Sequence, residues 1–328
     1  MKRLMLVVCA LLCVSTVFAA AKTSTKRNSS KAATKTAVTK GATTKKAAAK
    51  NAQPSKTAVA QPPKGYIGKI PYIGAIAVDA DTGRVLFEDN ADTPGYPAST
   101  LKLMTLLVVT DMIESGKVHT NDVCSVSARA YKTGGSQVYL DPKESFPLED
   151  LLYALMIQSA NDAAVAIAEH CAGSCEEFVA LMNKRAEGLG MKNTRFQSVH
   201  GLPPNVKEGQ RPDVSTARDM SILCRELCLH PSIFRYTSAS YRQFRAGTKH
   251  PFDMRTHNPF LKDGTPGCDG FKTGFTATAG WSIAVTAKRG DRRVIVYVLG
   301  AGPWSAPAGR KNRDAKAREI LNRAFATE

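Results

Sequence analysis

The chain has 328 residues, a formal net charge of +17 and 43% hydrophobic residues. Residues 22–64 hold +11 of that charge and Lys2 and Arg3 another +2, which leaves +4 for residues 65–328. The overall charge therefore says little about the folded part, and no nucleic-acid partner is expected.

Met1-Lys2-Arg3, an apolar run from Leu4 to Phe18 and then Ala19-Ala20-Ala21 read as a signal peptide over residues 1–21. The run is shorter than the ~20 residues a membrane-spanning helix needs, so export to periplasm or cell wall is expected, with no transmembrane helix after cleavage. Residues 22–64 are built from Lys, Ala, Thr and Ser, with no acid and no aromatic residue. Such a segment cannot offset its ordering entropy by burial and reads as disordered. It suits a solvated spacer, or adhesion to anionic envelope polymers or lipid head groups. Residues 65–328 remain as the catalytic domain.

Tyr72 to Val78 reads as a strand, Asp79-Ala80-Asp81-Thr82-Gly83 as a turn, and Arg84 to Glu88 as the returning strand. Leu101 to Ile113 is apolar almost all round, which predicts a helix buried on most sides, closed by Ser115-Gly116. Helical patterns then dominate: Pro147 to Ile157, Asp162 to Ala172, Glu176 to Leu189, and Thr216 to Leu229 behind a cap at Ser215. Trp281 to Ala287 and Arg293 to Leu299 read as late strands, and Lys316 to Phe325 as a last helix. Strands at both ends with helices between predict an α+β fold: one antiparallel sheet with a mainly helical insertion.

Six cysteines follow the signal segment: Cys124, Cys171, Cys175, Cys224, Cys228 and Cys268. Buried thiols or disulfides both fit an exported chain, and neither close spacing matches a usual zinc pair. The six histidines form no H-E-x-x-H, which speaks against a metallo-carboxypeptidase.

Amide hydrolysis near neutral pH needs a nucleophile, a base and donors for the oxyanion. Ser99 and Lys102 stand one helical turn apart at the start of the apolar helix, the sole Ser-x-x-Lys spacing in the chain. Taken alone, the pair could be a helix cap with a lysine reaching for solvent. Ser159-Ala160-Asn161, however, lies between two predicted helices, and Lys272-Thr273-Gly274 leads into the late strands. The lysine and threonine could hold an anion, and the glycine would admit a ligand backbone. A second copy, Lys132-Thr133-Gly134, precedes Ser159 in a turn-like stretch and reads as coincidence.

S-x-x-K, S-D-N and K-T-G are grouped for penicillin-binding proteins and class A β-lactamases, and this chain has the three in that order with S-A-N as the middle element. Pro97–Thr105, Ser159–Ala163 and Lys272–Thr276, with Gly135-Ser136-Gln137, Leu189–Thr194 and Ser215–Met220, resemble the serine D-Ala-D-Ala carboxypeptidases, the low-molecular-mass penicillin-binding proteins. The resemblance spans about residues 70–300 and implies the penicillin-recognising, β-lactamase-like fold, an antiparallel sheet flanked by helices with a helical lobe. It implies that Ser99 attacks the D-Ala-D-Ala carbonyl, Lys102 takes its proton, and Ser159 relays a proton to the leaving D-alanine. Asn161 would bind the substrate amide, Lys272 and Thr273 would receive the terminal carboxylate, and Gly274 would line the substrate site. The backbone N–H groups of Ser99 and Phe275 would form the oxyanion hole. Peptidoglycan stem peptides are the implied substrates and β-lactams the implied covalent inhibitors, with no metal and no cofactor implied. Some members carry a second β-rich domain and an amphipathic anchor, and neither is expected in the residues after Gly274.

Other readings use the same residues or dispense with them. A D,D-endopeptidase of the same family would cut crosslinks with the same groups. A β-lactamase would need a deacylating glutamate, and no E-x-x-L-N lies between Ser159 and Lys272. A catalytically silent wall-binding protein would have no use for Ser99, Lys102, Ser159 and Lys272.

Overall fold

The computed structural model of the chain describes residues 71–303 and 307–326. The signal peptide and the basic segment read from the sequence lie outside the described residues. Strands β1 (Gly74–Asp79) and β2 (Val85–Asp89) come first, then a 3-10 turn (Ala98–Leu101) running into helix α1 (Lys102–Glu114). The helical lobe follows. It contains β3 (Val123–Ser125), α2 (Ala128–Lys132), β4 (Ser145–Pro147), α3 (Leu148–Tyr153), a π turn (Ala154–Gln158), α4 (Asn161–Ala172) and α5 (Cys175–Gly188). Next come α6 (Ala217–Cys228), α7 (Phe234–Thr237), the hairpin β5 (Tyr241–Phe244) and β6 (Phe252–Arg255), and α8 (Pro259–Lys262). The chain then returns through β7 (Cys268–Gly270), β8 (Thr273–Thr276), β9 (Gly280–Arg289), β10 (Arg292–Ala301) and α9 (Pro307–Ala326).

The main sheet has the order β2-β1-β10-β9-β7, with β8 also paired to β9, and every pairing is antiparallel. First and late strands thus join as the sequence predicts, from Gly74 opposite Leu299 to Asp79 opposite Val294. Period-2 alternation divides the central strands between two cores. Ile76, Val78, Ile295, Tyr297 and Leu299 face the helical lobe. Ala75, Ala77, Val294, Val296 and Val298 pack instead with Ala317, Ile320, Leu321 and Ala324 of α9. Helix α1 is buried without a break from Lys102 to Thr110, as its apolar circumference predicts.

Three boundaries differ from the sequence reading. Helix α9 starts at Pro307, ahead of Lys316, because its first turns are polar and give no apolar period. The cap of α6 is Thr216, whose hydroxyl accepts from Asp219 N, while Ser215 exchanges backbone bonds with Gly95. The expected helix over 147–157 splits into α3 and a π turn. The short strands β3 to β8 are too brief to leave a period in the sequence.

All six cysteines are free thiols, three of them buried. Burial pushes Cys171 and Cys228 up to about 12 and Cys175 and Cys268 up to about 11, so they pack as small apolar groups. Among the described residues no helix is long and apolar enough to cross a membrane.

Candidate active site

Ser99 sits inside the 3-10 turn that leads into α1, so Lys102 follows it on the same face. The turn is tied to the sheet through Thr100, whose hydroxyl contacts Pro97 O and the buried Tyr297 hydroxyl, each at 2.6 Å. Ala98, just before the serine, has left-handed backbone (φ +49), a strained state for a residue with a Cβ. Two glycines make room for the turn. A Cβ on Gly274 would stand 3.1 Å from Ser99 N and 2.8 Å from Pro97 O; one on Gly201 would stand 3.0 Å from Ser99 N and 2.3 Å from Ala98 O. The Ser99 amide therefore lies in a slot between β8 and the 198–202 loop.

Lys102 is 0% exposed, and its Nζ has three oxygen neighbours: Ser99 Oγ at 3.1 Å, Asn161 Oδ1 at 2.7 Å and His200 O at 2.7 Å. Two of these are carbonyl-type oxygens that can only accept. A neutral amine has two N–H groups and one lone pair, so those two acceptors take both protons and the lone pair faces Ser99 Oγ. Burial and the charge of Lys272 hold the Lys102 amine well below the usual lysine range, opposed in part by Asp213 and Asp162.

The orientation of the Asn161 amide is set from outside. Its Nδ2 donates to Gly134 O at 2.8 Å and its backbone N to Ser136 O at 2.7 Å, which leaves Oδ1 for Lys102. Asn161 was expected to bind a substrate amide, and here both ends of its side chain are engaged by the protein. The 134–140 segment is held by the next residue, Asp162, whose buried carboxylate accepts from Val138 N and Leu140 N at 3.2 and 3.1 Å. The second Lys-Thr-Gly copy thus contributes a carbonyl to this wall, while Lys132 is exposed on α2. Ser159 is 3% exposed and turns the chain from the π turn into α4 with left-handed backbone (φ +62).

On the opposite wall, Thr273 to Thr276 form β8, which runs beside the Ser99 turn. Lys272 is 2% exposed, donates to Thr273 O at 3.2 Å, and is pushed down to about 7 by burial and the charge of Arg313. Arg313, itself 2% exposed, pairs with Asp314 at 2.7 Å. Phe275 lies at the strand's open side and stacks on Trp281 with ring centroids 3.8 Å apart. Lys102 therefore touches both Ser99 and Asn161, and Gly274 brings its strand against the Ser99 turn.

Four participants escaped the sequence reading. His200 supplies a backbone carbonyl, a role its side chain does not advertise. Its ring is pushed down to about 3, chiefly by burial and then by Lys102, so it stays neutral. Gly201 was signalled only as a glycine in a loop. Asp213 holds that loop: its carboxylate accepts from Gln197 N at 2.6 Å, Ser198 N at 2.9 Å and Ser198 Oγ at 2.7 Å, and Ser198 Oγ accepts from Gly201 N. Arg313 sits far along the chain in a helix whose start was missed.

A sheet with a helical lobe, and at their junction a half-buried serine in contact with a buried lysine, defines the class of penicillin-recognising folds. The model of the D-alanyl-D-alanine carboxypeptidase family matches residues 56–302, and the chain belongs to that family. It is 38% identical to the D-alanyl-D-alanine carboxypeptidase DacF of Bacillus subtilis over 76% of this chain and 61% of that one. It is 34% identical to DacA of Escherichia coli over 80% and 63%. The chain thus spans about three fifths of the length of these curated relatives. Among solved structures it resembles penicillin-binding protein 5 of Haemophilus influenzae (TM-score 0.69, 30% identity, 81% of this chain and 73% of that one). It also resembles penicillin-binding protein D2 of Listeria monocytogenes in an ampicillin-bound form (TM-score 0.67, 28% identity, 78% and 98%).

Proposed function

We propose that this chain is a serine-type D-Ala-D-Ala carboxypeptidase that removes the terminal D-alanine from peptidoglycan stem pentapeptides. The observation that carries the reading is the Lys102 amine, buried, with both N–H groups of its neutral form assigned to carbonyl-type oxygens and its lone pair left for Ser99. Ser99 Oγ attacks the carbonyl of the penultimate D-alanine as its proton passes to Lys102 Nζ. The backbone N–H groups of Ser99 and Phe275 stabilise the oxyanion. The C–N bond breaks, Ser159 relays a proton to the leaving D-alanine nitrogen, and water then releases the acyl group from Ser99.

Substrate choice rests on charge. Two buried side chains of like charge, Lys272 and Arg313, lie beside the cleft, and a terminal carboxylate on Lys272 and Thr273 answers their repulsion. Asn161 would reach the substrate amide by exchanging its bond to Gly134 O. β-Lactams present a carboxylate and a reactive amide in similar relation and would acylate Ser99. Export by residues 1–21 and adhesion of residues 22–64 to anionic envelope polymers belong to the same proposal.

The test is mass spectrometry of peptidoglycan fragments incubated with the protein. Loss of one alanine from pentapeptides supports the reading, and conversion of crosslinked dimers to monomers would replace it with endopeptidase activity. Intact mass with penicillin should show one adduct that disappears in Ser99→Ala. No adduct and no hydrolysis would overturn the reading in favour of a silent wall-binding protein.

A further inference from the structure

Outside the cleft, two non-glycine residues hold left-handed backbone and share one guanidinium: Tyr139 (φ +58) and Arg245 (φ +55). Arg245 lies just past β5, in the turn toward β6. Its Nη1 donates to Val138 O at 2.8 Å and its Nη2 to Tyr139 O at 2.7 Å. Its Nε and Nη2 also grip both carboxylate oxygens of Glu144, at 2.8 and 2.6 Å. The guanidinium lies over the Phe146 and Phe244 rings, and the side chain is 8% exposed. Left-handed backbone at a tyrosine persists only where its surroundings over-determine it. Here Asp162 holds the amides of Val138 and Leu140, while Arg245 holds the carbonyls of Val138 and Tyr139.

That doubly clamped segment continues from Gly134 and Ser136, the two carbonyls that orient Asn161. If the segment slackens, the Asn161 amide is free to turn. Turning it would set an N–H group against Lys102 Nζ in place of an acceptor, and the amine's lone pair would no longer be reserved for Ser99. The geometry points to Arg245 as a positioning residue: through segment 134–140 and Asn161 it holds Lys102 in line with Ser99. The inference rests on the proposed Ser99–Lys102 chemistry for its functional half. Arg242, on the same hairpin, makes a useful contrast, because it pairs with Asp150 and stacks on Tyr153, both on α3.

The experiment measures acylation by a fluorescent penicillin in the full chain, together with hydrogen exchange of the peptide covering residues 133–141. Arg245→Met keeps apolar contact with Phe146 and Phe244 but removes the donors, and Arg245→Lys returns the charge without the planar fork. Acylation should fall roughly ten- to a hundredfold in Arg245→Met, the scale of a misplaced catalytic group. It should recover in part in Arg245→Lys and stay within about twofold of wild type in Arg242→Met, which loses a partly exposed ion pair and a ring contact on α3, neither of them to segment 134–140. In an Asn161→Ala background the further loss from Arg245→Met should shrink below about twofold, since the effect runs through Asn161. Exchange in 133–141 should quicken in Arg245→Met and not in Arg242→Met. That readout needs no activity, so it separates failure of this inference from failure of the proposed function. Unchanged exchange, or an equal loss of acylation with and without Asn161, would overturn it. If Arg245→Met does not fold, Arg245→Lys carries the same comparisons.

Discussion

Asn161→Asp changes one atom type beside the proposed base and puts a carboxylate oxygen 2.7 Å from Lys102 Nζ. A unit-charge pair at that distance attracts by roughly 6 kcal/mol at an effective dielectric of about 20. That is about four powers of ten in the equilibrium between ammonium and amine. As the proposed base Lys102 must be a neutral amine, so acylation falls as pH drops through its titration. The substitution therefore moves that fall to much higher pH. Acylation by a fluorescent penicillin at neutral pH should drop about a thousandfold or more and recover steeply in alkaline buffer. The new carboxylate also faces Gly134 O, the acceptor that Nδ2 now satisfies at 2.8 Å, at a cost of about 1–3 kcal/mol in stability. Thermal unfolding reads that cost separately. Asn161→Ala is the reference: it removes an acceptor without adding charge, so its loss should be smaller and not relieved by alkali. Neutral-pH acylation within about threefold of wild type in folded Asn161→Asp would refute Lys102 as the base.

Gly201→Ala should unfold at lower temperature and lose nearly all acylation, since its Cβ would stand 2.3 Å from Ala98 O at a backbone φ of +81. Lys272 titrates at about 7, below its usual 10.5, so the ammonium that receives a carboxylate is present below about 7 and lost above it. KM for a carboxylate-ended peptide should therefore rise with pH through that value, while an amidated peptide shows no such rise. Arg313→Met removes a like charge from Lys272 and should move the rise to higher pH. Thr273→Val should be less sensitive than wild type to amidation of the substrate, because the carboxylate contact is already gone. Deleting residues 22–64 should leave hydrolysis of a soluble peptide unchanged and weaken salt-sensitive binding to cell-wall sacculi.

Much of this architecture could be read in the chain, because the relevant physics is local. Ser99 and Lys102 are one helical turn apart, and no tertiary event is needed to put them on one face. The apolar circumference of Leu101 to Ile113 predicted a buried helix, and the apolar runs at 281–287 and 293–299 predicted the central strands. The Lys272-Thr273-Gly274 motif stood out by its order in the chain, and Gly274 lies against the Ser99 turn. What depended on the tertiary structure were groups whose function is carried by the backbone or by distant charge. His200 acts through a carbonyl, Gly134 through another, and a main-chain oxygen leaves no mark on residue type. Gly201 matters because a Cβ there would lie 2.3 Å from Ala98 O, a distance that exists only after the Ala98–Leu101 turn docks on the 198–202 loop. Lys102 and Lys272 are shifted first by their own burial, which sequence does not measure, and then by charges from remote segments, Asp213 raising the one and Arg313 lowering the other. Sequence alone set the proposed nucleophile and its proposed base one turn apart; folding decided that the base would be dry, beside the charge of Lys272 and held by two carbonyl-type oxygens, the conditions under which a lysine gives up its proton.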